Sequence, residues 1–217
     1  MPDDLGRQAS GFARLIQDLL NATVCDGVTI QAQVIDANRQ LVGHGLSRQT
    51  LESKPFRLGV GRGREHGWLD ISYRLALDDE GRYLTVISSY VGIYLEQDLQ
   101  TMLCHLDYER NKPIYPEAHL QVEGACEALD KWRLVGGSKP KPLRDLHFPV
   151  GGRRYRPALE DMIEFLIAEK LASPRRGWQR VLDESRDDFR RRQLRAAIRR
   201  DMETATLAVR DFGRAGA

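Results

Sequence analysis

Four side chains in this sequence are of types and spacings suited to acid–base chemistry. His105 and Asp107 lie two apart in TMLCHLDYER, His119 lies in PEAHLQVE and His147 in LHFPV. An imidazole titrating near neutrality can accept or donate a proton, and a neighbouring carboxylate orients the ring. Two such groups with an arginine suffice for cleaving a phosphodiester without a metal. One group activates the 2′-hydroxyl of RNA, another protonates the leaving oxygen, and Arg110 or Arg153 stabilises charge on the phosphate. The candidate catalytic set is His105, Asp107, His119, Arg110 and His147. A metal is not expected there, since the spacing of His105, Asp107 and His119 matches no established ligand pattern. No cofactor is expected either.

These residues need a sheet to position them. Residues 101–123 read as two short strands joined by a charged loop containing Pro113 and Pro116. Strand side chains alternate between faces, so Cys104, Leu106 and Tyr108 share one side, and His105 and Asp107 the other. In the second strand Leu120 and Val122 oppose His119, Gln121 and Glu123. If Leu106 and Leu120 both enter a core, His105, Asp107 and His119 must share the opposite face. The same parity separates Cys104 from His105, which excludes a direct Cys–His nucleophile pair. The plainer reading is an ordinary solvated strand face.

The elements before this hairpin are helix, then strands. Phe12, Leu15, Ile16, Leu19 and Leu20 give an apolar stripe on a helix starting at Asp3 or Asp4. Strands follow over 28–35, 41–46, 56–60, 68–75 and 82–95, with Asp78 to Gly81 as a turn. The strand over 82–95 is apolar on both faces, which predicts a central position, and Gly92 within it predicts a bulge. The run GVGRGREHGW leads into a strand pattern rather than a helix, so it reads as a basic hairpin tip and not as a dinucleotide loop.

After Glu123 the pattern predicts a short helix to Leu134, a flexible break at 136–142 and an extended edge segment at 143–150, which Pro149 favours. Gly151 to Arg156 forms a basic loop in which Arg153, Arg154, Tyr155 and Arg156 are the candidate nucleic-acid contacts: the arginines bind phosphate and the ring stacks on a base. Helices follow from Pro157 to Ser173 and from Trp178 to Phe212, the latter with a break near Asp201. Arg190, Arg191 and Arg192 follow Asp183, Glu184, Asp187 and Asp188 at helix-pair spacing, the pattern of a salt-bridged solvent face.

Composition bounds the rest. The chain has 217 residues, 41% hydrophobic and 29% charged, with a formal net charge of +2. That balance suits a folded protein and gives no global pull toward nucleic acid or membrane. Only six of the 33 basic residues are lysine, and arginine offers bidentate pairing to carboxylate or phosphate. Three cysteines without a CxxC suggest neither a disulfide framework nor a cysteine zinc site. The polar N-terminus and the lack of a long apolar run lead to the expectation of a cytoplasmic protein without a membrane segment.

The run CHLDYER, a loop, then PEAHLQV and a later amphipathic helix resembles the TumE-type toxins of toxin–antitoxin modules, over about Met102 to Leu171. That family carries a His-x-His pair, of which His119 is present and Gln121 stands in the second place. The resemblance implies a compact α+β ribonuclease-type toxin with RNA as substrate and a DNA-binding antitoxin as protein partner. The whole chain also resembles uncharacterised proteins of high-GC Gram-positive bacteria. The expected architecture is an α+β fold: an antiparallel meander of about six or seven strands after an N-terminal helix, then a helical C-terminal part. Residues 1–150 form the helix-and-sheet domain and 151–217 the helical region, packed on it or extending from it. The leading expectation is a toxin-like or defence-associated protein acting on RNA. The alternative is a non-catalytic module that docks a partner protein through its sheet or C-terminal helices, with homodimerisation through Trp178, Val181, Leu182 and Phe189.

Overall fold

The computed structural model of the chain describes residues 2–61, 67–114, 116–126, 142–150 and 158–215. Helix α1 (Pro2–Thr23) precedes β1 (Ile30–Asp36), β2 (Arg39–His44), β3 (Phe56–Leu58), β4 (Gly67–Leu77), β5 (Leu84–Tyr94), β6 (Met102–Glu109) and β7 (Ala118–Val122). A 3₁₀ turn (Leu143–Asp145) and β8 (Phe148–Pro149) follow, then α2 (Leu159–Ala168), α3 (Trp178–Arg200) and α4 (Met202–Ala215). The fold is α+β, as expected. The eight strands form one sheet in the order β1-β2-β4-β5-β6-β7-β8, with β3 pairing β4 beyond the end of β2. Every pairing is antiparallel. The apolar strand β5 is central, and Pro149 sits on the edge strand, where a missing N–H costs nothing.

One face of the sheet makes the core. Leu69, Ile71, Tyr73 and Leu75 alternate along β4 and are all buried, and register carries that face to Val91 and Ile93, then to Cys104, Leu106 and Tyr108, then to Ala118 and Leu120. Helix α1 covers its first half through Leu5, Ala9, Ala13, Ile16 and Leu20, with Phe12 edge-on to Tyr73 at 5.1 Å. Leu15, expected in that stripe, is exposed, because it projects about 110° from the stripe's centre at 3.6 residues per turn. Helix α2 covers the second half. Met162 and Phe165 face Leu103, Leu106, Leu120 and Val122 across an apolar groove of about 700 Å³. Arg175 ties the segment after α2 back to the end of α1, its N–H donating to the Thr23 carbonyl at 2.7 Å and its guanidinium pairing with Asp26.

Both helices thus lie on one side of the sheet. The chain divides into two units, Met1–Arg176 and Gly177–Ala217. Within the second, α3 ends at Arg200 and Asp201 starts α4, its carboxylate accepting the Thr204 N–H at 2.9 Å. That is the break expected near Asp201.

The bulge expected at Gly92 is not there. Gly92 pairs in register with Asp70 on β4 and His105 on β6, and the register shifts one step later, between Ile93 and Tyr94. A different constraint demands the glycine. A Cβ at position 92 would lie 2.5 Å from the Tyr90 hydroxyl oxygen and 2.7 Å from Tyr94 Cε2, closer than any carbon tolerates. The two tyrosines lie across Gly92 from both sides, and their hydroxyls hydrogen-bond each other.

Candidate functional site

The face away from the helices carries Trp68, Asp70, Ser72 and Arg74 from β4, Ser88, Tyr90, Gly92 and Tyr94 from β5, His105 and Asp107 from β6, and His119 and Gln121 from β7. The pairing of β6 with β7 sets Leu106 opposite Leu120, His105 opposite Gln121 and Asp107 opposite His119. The three polar groups named from parity therefore share one face. Chain parity was enough to find them, because β7 contains no bulge and β6 none between Cys104 and Tyr108.

The histidines differ in their surroundings. His119 is 1% exposed. Its Nδ1 donates to the Pro116 carbonyl at 3.1 Å, which leaves Nε2 presented to Asp107 Oδ2 at 3.7 Å. His147 packs edge-on against the His119 ring at 4.5 Å and is half-buried, while the Asp107 side chain is 28% exposed. The accessible members of this cluster are thus Asp107 and His147, with His119 beneath them. His105 is held separately. Its Nε2–H donates to Gln121 Oε1 at 2.8 Å, its Nδ1 lies 3.2 Å from Met102 Sδ, and its ring leans on Tyr90 at 5.2 Å. Burial, outweighing the Gln121 hydrogen bond and the Asp107 charge, lowers its pKa below the ordinary histidine value and favours the neutral ring. Held by Gln121 and leaning on Tyr90, His105 forms part of the floor of the site.

Arg110 follows β6, and its Nε donates to the Val86 carbonyl at 3.4 Å. Arg153, Arg154, Tyr155 and Arg156 lie outside the described residues, as do Arg62, Arg64, His66, Trp132 and residues 127–134 of the helix expected after Glu123, whose described start, Gly124 to Cys126, is not helical. In the second unit Arg190 pairs with Asp187 at 3.7 Å, in keeping with a salt-bridged face.

One carboxylate absent from the sequence reading adds to the face. Asp70, opposite Gly92, accepts the Ser53 hydroxyl at 2.6 Å, and burial raises its pKa. The segment around Ser53 crosses the open face here, since a Cβ on Gly43 would stand 3.0 Å from that of Ser53. On the other side Gln121 Nε2 donates to the Arg144 carbonyl at 2.8 Å. The open face is therefore a trough. Its floor is Tyr90, Gly92, Tyr94 and His105, and its walls are the Ser53 segment and the segment bearing Arg144 and His147. Tyr90 and Tyr94 were legible only as sheet residues, since nothing in the spacing YVGIY says that the rings fold toward each other. Burial, with the hydrogen bond to Tyr94, raises the Tyr90 phenol's pKa, so that hydroxyl stays protonated.

Among the described residues, no group of three or more His, Cys, Asp or Glu side chains could hold a metal ion, and no helix is long and apolar enough to cross a membrane. Comparison with protein-family models, curated proteins and solved structures finds no match to this chain.

Proposed function

We infer that this chain is a non-catalytic binding module that docks a partner protein on the open face of its sheet. One observation carries the reading: both helices of the first unit cover the same face, and the opposite face is left as a walled trough with an aromatic floor. A solvated sheet face ordinarily carries short or charged polar side chains. Half-buried aromatic rings there supply the contact area that protein interfaces favour. Apolar residues exposed on α4, among them Phe212 at 85% and Val209 at 73%, extend the docking capacity to the helical unit. The test is a photo-crosslinking amino acid placed at Ser88, on the open face, and at Asn38, in the β1–β2 turn, with the protein expressed in its native cell. A discrete adduct from Ser88 and none from Asn38 is expected. Equal labelling from both sites, or none from Ser88, would end the reading.

A second reading, acid–base cleavage of RNA as the TumE-type resemblance implies, is favoured by one feature. The strand register puts Asp107 opposite His119, with His147 against the same ring. Asp107 and His147 would exchange protons with the 2′-hydroxyl and the leaving 5′-oxygen while the buried His119 holds them in place; Arg110, held at Val86, is not beside this cluster. The products would be a 2′,3′-cyclic phosphate and a free 5′-hydroxyl. Single-stranded RNA should be cut by wild type and left intact by His147→Gln. An identical RNA ladder from both proteins would remove this chemistry.

A further inference from the structure

We propose that the floor of the trough is a recognition site for an organic cation, the guanidinium or ammonium end of an arginine or lysine side chain on a partner protein. The proposal rests on the docking reading above and names the chemistry that the docked partner must present.

The geometry comes first. Tyr90 and Tyr94 flank Gly92 on one strand and lie over it, hydroxyl to hydroxyl. Both rings lie over Gly92 and both residues are half-buried, so part of each ring is open to the trough. Trp68 stands beside Tyr94 as its pair on β4, and the His105 ring, tilted 34° to Tyr90, closes the fourth side. The hydrogen bonds of Tyr90, Tyr94 and His105 fix these rings before any ligand arrives, so little rotamer freedom is lost on binding.

Charge then selects the ligand. Asp70 pairs with Gly92 from β4, and Asp107 pairs with Tyr90 from β6, so a carboxylate borders the aromatic floor on each side. Among the described residues this face carries Arg74, opposite Ser88 beyond Tyr90, and Arg57, opposite Trp68 at the outer end of the floor, while the Arg144 guanidinium is occupied by Glu123 at 3.5 Å. Ring faces carry the negative lobe of the aromatic quadrupole and attract a cation within about 6 Å of the centroid. Two carboxylates reinforce that attraction and repel a phosphate. A nucleotide stacked on Tyr90 or Tyr94 would bring its phosphate toward Asp70 or Asp107. The same surface read by ring geometry alone would suit either ligand, and the carboxylates decide for the cation. A guanidinium suits the site best, because its plane stacks on Tyr90 or Tyr94 while its edge donates to a carboxylate.

The experiment is an NMR titration of the full chain, with tyrosine and tryptophan rings labelled. Three probes are compared: N-acetyl-arginine-methylamide, its uncharged citrulline counterpart, and adenosine monophosphate. The arginine probe should shift the ring signals of Tyr90, Tyr94 and Trp68 saturably, and the citrulline probe should not. Tyr94→Leu and Asp107→Asn should each weaken the response about fivefold or more. Asp107→Asn keeps the side chain's shape, so it reads the charge even if Tyr94→Leu disturbs the strand. Absence of a saturable shift with arginine, an equal response to citrulline, or a response to the nucleotide instead would overturn the proposal. Its failure is separable from that of the docking reading: a Ser88 adduct together with a silent arginine titration removes only the cation, whereas loss of the adduct removes the docking face itself.

Discussion

The two faces of this sheet are built from the same strands to opposite ends. The covered face is apolar and assembled by alternation: Leu69, Ile71, Tyr73 and Leu75 on β4 meet Val91 and Ile93 on β5, under α1. Its stability comes from area removed from water, which is insensitive to the identity of any single hydrogen bond. The open face is held by directed contacts instead. Tyr90 to Tyr94, His105 to Gln121, Ser53 to Asp70 and His119 to Pro116 each fix one side chain in one place. One face makes the protein fold, and the other spends polar contacts to hold rings and carboxylates in a chosen arrangement.

That contrast can be broken in order of expected effect. Ile71→Ala empties a fully buried site on the covered face and should cost about 4 kcal/mol in urea unfolding. A cost below about 1 kcal/mol would mean that this face is not the core. Gly92→Ala inserts a methyl group where the two tyrosines lie, and should cost about 2 kcal/mol through displaced rings. The tyrosine ring signals should move with it while the covered-face methyl signals stay put. Unmoved tyrosine signals would show that the rings do not lie over Gly92.

The third prediction concerns pH. His105 has a lowered pKa in the folded chain because of burial, so between that value and the ordinary one of about 6.5 the unfolded chain binds more protons. Stability therefore rises with pH through this window, and the same amount is lost as pH falls through it. His119, His147 and Asp107 act on His105 electrostatically and Gln121 accepts its proton, so the clean readout is a difference. His105→Gln should flatten the decline in unfolding free energy between pH 7.5 and pH 5.5. Parallel curves for the two proteins would assign the decline elsewhere. Last, Arg74→Ala removes an exposed side chain at the margin of the open face and should change stability by less than about 0.5 kcal/mol. A larger loss would show that the carboxylates of this face are held by Arg74 rather than by the contacts named above.

Much of this was legible along the chain. Helix α1, the meander, the central position of β5, the edge Pro149 and the helix break at Asp201 all follow from periodicity of 3.6 or 2 and from turn chemistry, which act over a few neighbouring residues. The common face of His105, Asp107 and His119 was also legible, because register in a half-buried hairpin is pinned by its aliphatic side.

The sequence by itself thus determined which residues share a face, since alternation is a local property of the backbone. It did not determine what covers each face, nor which of the four candidate polar groups stays accessible. Only the tertiary structure put α1 and α2 on one side, sank His119 beneath Asp107 and His147, turned His105 to Gln121, and brought Asp70, 22 residues earlier in the chain, alongside Gly92. Those are contacts between segments distant in sequence. They depend on packing against a common core, which no short-range pattern encodes.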